Sequence, residues 1–103
     1  MQAIGLETFQ SIASGGANTY TVAANRWRKA IEFYCPAANP ATLWLRKGTG
    51  TPDQTAGDGH GSIELPQKAY YESKNSSLWR GAFVIRNPAT TGGASSIYIV
   101  EFV

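Results

Sequence analysis

The sequence predicts an all-β fold: a single antiparallel β-sandwich, jelly-roll-like or barrel-like, of about eight short strands. Three observations predict it. Apolar, aromatic and β-branched residues alternate with polar ones at a period of two, most clearly in WRKAIEFYC, residues 27–35. Turn signals rich in Gly, Pro, Asn and Ser recur every 8–12 residues or so. Helical segments of the dozen or more residues that parallel crossovers require are missing.

The 103 residues suit one domain, 1–103, able to bury roughly two-thirds of its unfolded surface without metal or disulfide staples. A single cysteine, Cys35, rules out an internal disulfide, and its place at the end of an apolar run marks it as a small buried filler. Apolar residues make up 43% and charged residues 16%, a balance that argues against disorder. Such low charge also suits a surface partly covered by a partner. The net charge of +2 is too small an excess to mark a nucleic-acid binder by itself.

Each element follows from local chemistry. Leu6 to Ile12 is the first strand, ended by ASGGAN, and Thr19 to Val22 is the second. Ala23 to Ala30 holds the one short helical candidate. In 27–35, Trp27, Lys29, Ile31, Phe33 and Cys35 share one side, while Arg28, Ala30, Glu32 and Tyr34 share the other. Two prolines in PAANPA stop pairing there. Thr42 to Lys47 follows, with Leu43 and Leu45 facing in and Trp44 and Arg46 facing out. Ser62 to Leu65 ends at Pro66, Ala69 to Glu72 is short, and Leu78 to Arg86 is long, with Trp79, Phe83 and Ile85 on one side. Ser96 to Val103 closes the chain and is apolar enough to belong inside a sheet.

No residue set specifies a reaction, and no enzyme, cofactor or metal site is expected. Gly48-Thr49-Gly50-Thr51-Pro52 lacks the lysine and the helix of a phosphate loop, and the third glycine of a dinucleotide fingerprint falls on Asp53. Asp53 and Asp58 are too far apart for a calcium loop. One histidine, His60, and one cysteine cannot make a zinc site within the chain, which leaves only a site shared between copies. No serine-hydrolase elbow is present, and His60 sits between glycines with no packed shell to orient it. Arg26-Trp27-Arg28-Lys29 interleaves bases with an aromatic, as single-strand binders do, but reads first as a strand with solvated outward cations. Trp27, Trp44, Trp79, Tyr70 and Tyr71 have the chemistry of a sugar platform or a protein interface. Trp79 and Phe83 are expected in the core and Trp44 on the surface. The opening MQAIGLETFQ has no charged-then-apolar signal pattern, so a cytoplasmic site of synthesis is expected. No apolar run is long enough to span a membrane.

The layout resembles a group of small bacteriophage structural proteins of β-sandwich type that decorate capsids or sit in tails and baseplates. Thr19-Tyr20-Thr21-Val22, Arg28 to Phe33, Leu43-Trp44-Leu45, Ile63-Glu64-Leu65-Pro66, Tyr70-Tyr71-Glu72, Leu78 to Ala82 and Ile97 to Glu101 carry the resemblance. Gln67 stands where the turn after Pro66 often has glycine. The resemblance implies a non-enzymatic virion component in many copies, foremost a capsid decoration or cement protein binding the major capsid protein or another virion protein, and itself a homo-oligomer. A tail or baseplate adaptor with a carbohydrate-binding face on Trp44 and Tyr70 is the alternative. Single-stranded nucleic-acid binding ranks below both, and no membrane is involved. The expected contacts are an extended docking arm over residues 1–10 (Gln2, Leu6, Phe9), together with Trp44, the loop residues Thr51, Asp58 and His60, and Pro88 and Thr91 in the last turn.

Overall fold

In the computed structural model, residues 5–52 and 62–103 are described. The strands are β1 (Gly5–Ile12), β2 (Asn18–Val22), β3 (Ala30–Tyr34), β4 (Leu43–Lys47), β5 (Ile63–Leu65), β6 (Tyr70–Lys74), β7 (Phe83–Asn87) and β8 (Ser95–Phe102). A 3₁₀ turn, Asn75–Ser77, follows β6. Two four-stranded sheets face each other, one ordered β1-β8-β3-β6 and the other β2-β7-β4-β5. All pairings are antiparallel. The predicted sandwich and its strand count are therefore present. β8 lies between β1 and β3, inside a sheet as its apolar character requires.

The period-two pattern turns one set of side chains inward from each layer. Ile31 and Phe33 on β3 and Ile97 and Ile99 on β8 meet Leu43 and Leu45 on β4 and Phe83 and Ile85 on β7. Phe33 and Phe83 pack edge-on across the interface, with centroids 5.1 Å apart. Full burial of such side chains is worth roughly 1.5–3 kcal/mol each. Cys35 is wholly buried beside them, the filler its position predicts. Its thiol is pushed up from 9.0 to about 11 by desolvation.

Several local expectations are corrected. The strand predicted over 27–35 begins only at Ala30, because Arg28 turns inward and is wholly buried. Ala23 to Ala30 contains no helix; Trp27 N–H donates to Asn25 Oδ1 at 2.9 Å and Arg28 N–H to the Asn25 carbonyl at 3.1 Å, which closes a turn. The strand predicted over 78–86 begins at Phe83, since the carbonyls of Trp79 and Gly81 are taken by Arg28 instead of a ladder. Trp79 folds back over Gly81, where a Cβ would lie 2.5 Å from its ring, and stays partly exposed rather than entering the core. After Pro66 the left-handed turn position falls on Lys68, with φ 66°, not on Gln67. The arm expected over residues 1–10 is, from Gly5 onward, the first part of β1, paired residue by residue with β8.

Candidate functional site

The register of the β1 sheet builds a feature that no single strand displays. Phe9 on β1 lies opposite Tyr98 on β8, Tyr98 opposite Tyr34 on β3, and Tyr34 opposite Tyr70 on β6. Period-two alternation turns all four away from the core, so one aromatic row crosses every strand of the sheet. Each ring is between 43% and 56% exposed. Phe9 and Tyr98 are in contact, with centroids 4.4 Å apart, and Tyr34 and Tyr98 are 6.3 Å apart. Cross-strand aromatic pairs stabilise a sheet modestly. A contiguous exposed row is more apolar surface than that role requires.

Beside this row runs an acidic one. Glu7, Val100, Glu32 and Glu72 pair across the same four strands two residues further along. The Tyr70 hydroxyl donates to Glu72 Oε2 at 2.8 Å, and Lys74 Nζ sits 3.2 Å from the same oxygen. Partial desolvation, followed by the hydrogen bonds and charges of Glu72 and Glu32, pushes the Tyr70 hydroxyl well above the usual tyrosine range. The Tyr70 hydrogen bond, then Lys74, holds Glu72 below the ordinary carboxylate value.

The outer face of the other sheet is different. Trp44 points outward there, as alternation predicts, but is only 7% exposed. Its expected role as a surface contact is corrected, because the chain after β4 returns over this face. Arg86, opposite Trp44 in the ladder, donates from Nη1 to the Pro52 carbonyl at 3.2 Å and from Nε to the Gly16 carbonyl at 2.9 Å. Arg46 Nη1 donates to the Thr51 carbonyl at 3.3 Å, and Pro52 itself is fully buried.

At one end of the sandwich the turn between β2 and β3 presents Arg26, Trp27 and Lys29 to solvent, with the Arg26 guanidinium 4.8 Å from the Trp27 ring centroid. Trp27 is 68% exposed. Arg28 anchors this turn. Its Nε meets Glu101 Oε2 at 2.6 Å, Nη1 donates to the Trp79 and Gly81 carbonyls at 3.0 and 2.8 Å, and Nη2 donates to the Ala23 carbonyl at 2.8 Å. The basic cluster is thus divided: Arg26 and Lys29 are solvated as predicted, whereas Arg28 is a structural cation.

Between the free edges of β1 and β2 the sandwich opens into a groove of about 390 Å³, lined by Leu6, Thr8, Tyr20, Val22, Ile99 and Glu101 among others. Leu6 faces this groove and stays half exposed. Of the expected contact residues, Leu6 and Phe9 therefore lie exposed on one edge strand, Leu6 toward the groove and Phe9 in the aromatic row. Thr51 and Thr91 are exposed and Pro88 is half-buried. They lie in separate loops, on the covered face and at the end opposite the Trp27 turn. Gln2, Asp58 and His60 lie outside the described residues. Among the described residues, no three of His, Cys, Asp and Glu gather closely enough to hold a metal ion.

No family model and no curated protein matches the chain. A solved structure does: Bacillus endospore appendages, described as a novel family of disulfide-linked pili, with a TM-score of 0.56 and 9% identity over 99% of this chain and 89% of that one. At that identity the likeness establishes a shared fold. The expectation of a phage capsid decoration protein, or of a tail adaptor or nucleic-acid binder in its place, is corrected by this finding: the similar structure is a bacterial appendage subunit, not a phage head or tail protein. Burial takes Trp44 out of the expected carbohydrate face and Arg28 out of the expected strand-binding cluster, while Tyr70, Arg26, Trp27 and Lys29 stay exposed.

Proposed function

We propose that this chain is a non-catalytic structural subunit that works by non-covalent association with further copies of itself. One observation carries the reading: the row Phe9-Tyr98-Tyr34-Tyr70 lies exposed across every strand of one sheet, while the one outward aromatic on the central strands of the other sheet, Trp44, is buried. Exposed aromatic rows of this kind are enriched at protein interfaces. The fold shared with a protein of the Bacillus endospore appendages supports the same reading, since those appendages form pili. Disulfide linkage is not carried over. Cys35 is wholly buried with a thiol pushed up to about 11, so linking copies through it requires the core to open.

Light scattering across a concentration series tests the proposal. Association gives a mass that climbs with concentration above the 11.1 kDa of one chain. A mass fixed at one chain up to the solubility limit rejects it.

A further inference from the structure

Two exposed features of this molecule are complementary and sit apart on it. The first is the turn Arg26-Trp27-Lys29. It is rigid: Asn25 N–H donates to the Arg80 carbonyl at 2.9 Å, Lys29 N–H to the Phe102 carbonyl at 2.7 Å, and Arg80 Nε to the Arg28 carbonyl at 3.0 Å, in addition to the bonds of the Arg28 side chain. A rigid turn holding a tryptophan in water, with cations on both sides of it, has the form of an interface anchor, because little conformational entropy remains to be lost on docking. The second feature is the outer face of the β1 sheet. Its outward positions hold Glu7, Glu32 and Glu72 against one ammonium, Lys74, so the face is net negative in a chain whose net charge is +2. The aromatic row beside those carboxylates offers rings to an incoming cation or indole.

We propose that the Arg26-Trp27-Lys29 turn of one copy docks on the aromatic and acidic face of the next, with Trp27 against the rings and Arg26 and Lys29 against Glu7 and Glu32. This deepens the self-association reading and rests on it. The turn cannot serve its own face: Lys29 is bonded to Phe102 at one end of the sheet, and the aromatic row lies four residues along β3, about 13 Å away at the strand rise. Donor and acceptor surfaces differ, so the contact is heterologous. Repeated between identical copies it propagates into a ring or a filament rather than closing as a two-fold dimer.

Charge reversal tests this. One variant carries Arg26→Glu with Lys29→Glu; the other carries Glu7→Lys with Glu32→Lys. Each alone is expected to associate at least about tenfold more weakly than the wild type, with unchanged circular dichroism and melting. An equimolar mixture regains assembly, because the acidic turn of one fits the basic face of the other. Trp27→Ser, at an exposed site that folding does not use, is expected to lose assembly with melting unchanged. Wild-type assembly must weaken as salt rises. If the wild type assembles and either charge variant assembles equally well, or the mixture stays monomeric, this docking is wrong while self-association stands. A wild type that never associates overturns both.

Discussion

The two outer faces of this sandwich both turn aromatic side chains outward, and those side chains have opposite fates. One bears Trp44, Val84, Arg46 and Arg86 on its two central strands, and the chain at Thr51 and Pro52 is tied there by hydrogen bonds from the two arginines. The other bears Phe9, Tyr98, Tyr34 and Tyr70, and nothing in the described chain lies over them. Where folding buries an outward aromatic, that residue belongs to stability. Where it leaves a whole row bare, the apolar surface awaits a partner. The Trp27 turn repeats the contrast at a smaller scale: Arg28 is sealed among carbonyls, and its neighbours Arg26 and Lys29 remain in water.

That contrast is open to direct challenge. The largest effect is expected at Arg28, where Arg28→Ala strands Glu101 and three carbonyls and lowers unfolding free energy by about 3–5 kcal/mol. Arg26→Ala, judged by the same urea titration, changes it by less than about 0.5 kcal/mol. Trp44→Ala comes next, at about 3 kcal/mol or more for a buried indole. Tyr98→Ala, on the bare face, costs the monomer only about 1 kcal/mol. Equal losses at Trp44 and Tyr98 would erase the distinction between the faces.

Smaller effects follow from titration. The folded state raises the Cys35 thiol from 9.0 to about 11, so it retains a proton that the unfolded chain gives up first. Stability from this group is complete below pH 9 and is lost as pH rises toward 11. Cys35→Ala flattens that decline, and thiol-reactive reagents label the wild type at neutral pH only after unfolding. The smallest effect is at Glu72, whose folded value is lowered by Tyr70 and Lys74. Its contribution is present above pH 4.5 and disappears as pH falls through the folded value. Glu72→Gln therefore differs slightly from the wild type near neutrality and not at all in strong acid, as an exposed pair requires.

The strands were legible because alternation is local. Ile31, Phe33 and Cys35, or Leu43 and Leu45, declare an inward face within a few residues of one another. Arg28 was not, since a cation in an alternating segment looks solvated until the carbonyls of Ala23, Trp79 and Gly81 are brought around it. Trp44 was placed on the correct face but in the wrong environment, because its neighbour in the ladder, Arg86, lies on a strand far away in sequence and holds the Pro52 carbonyl. The aromatic row was invisible for a related reason. Phe9, Tyr34, Tyr70 and Tyr98 are far apart in sequence, and only the register of three strand pairs aligns them. Local reading did single out Phe9 as a contact of the arm and Tyr70 as part of an aromatic face, but nothing local joined them to Tyr34 and Tyr98.

The most direct test of the bare face compares the wild type with a Tyr34→Ser, Tyr98→Ser double variant by sedimentation velocity over matched concentrations. The wild type should shift to faster-sedimenting species as concentration rises, while the variant, still folded and melting within a few degrees of it, stays at 11.1 kDa. Identical sedimentation of the two proteins, whether both remain single chains or both assemble alike, would contradict the account.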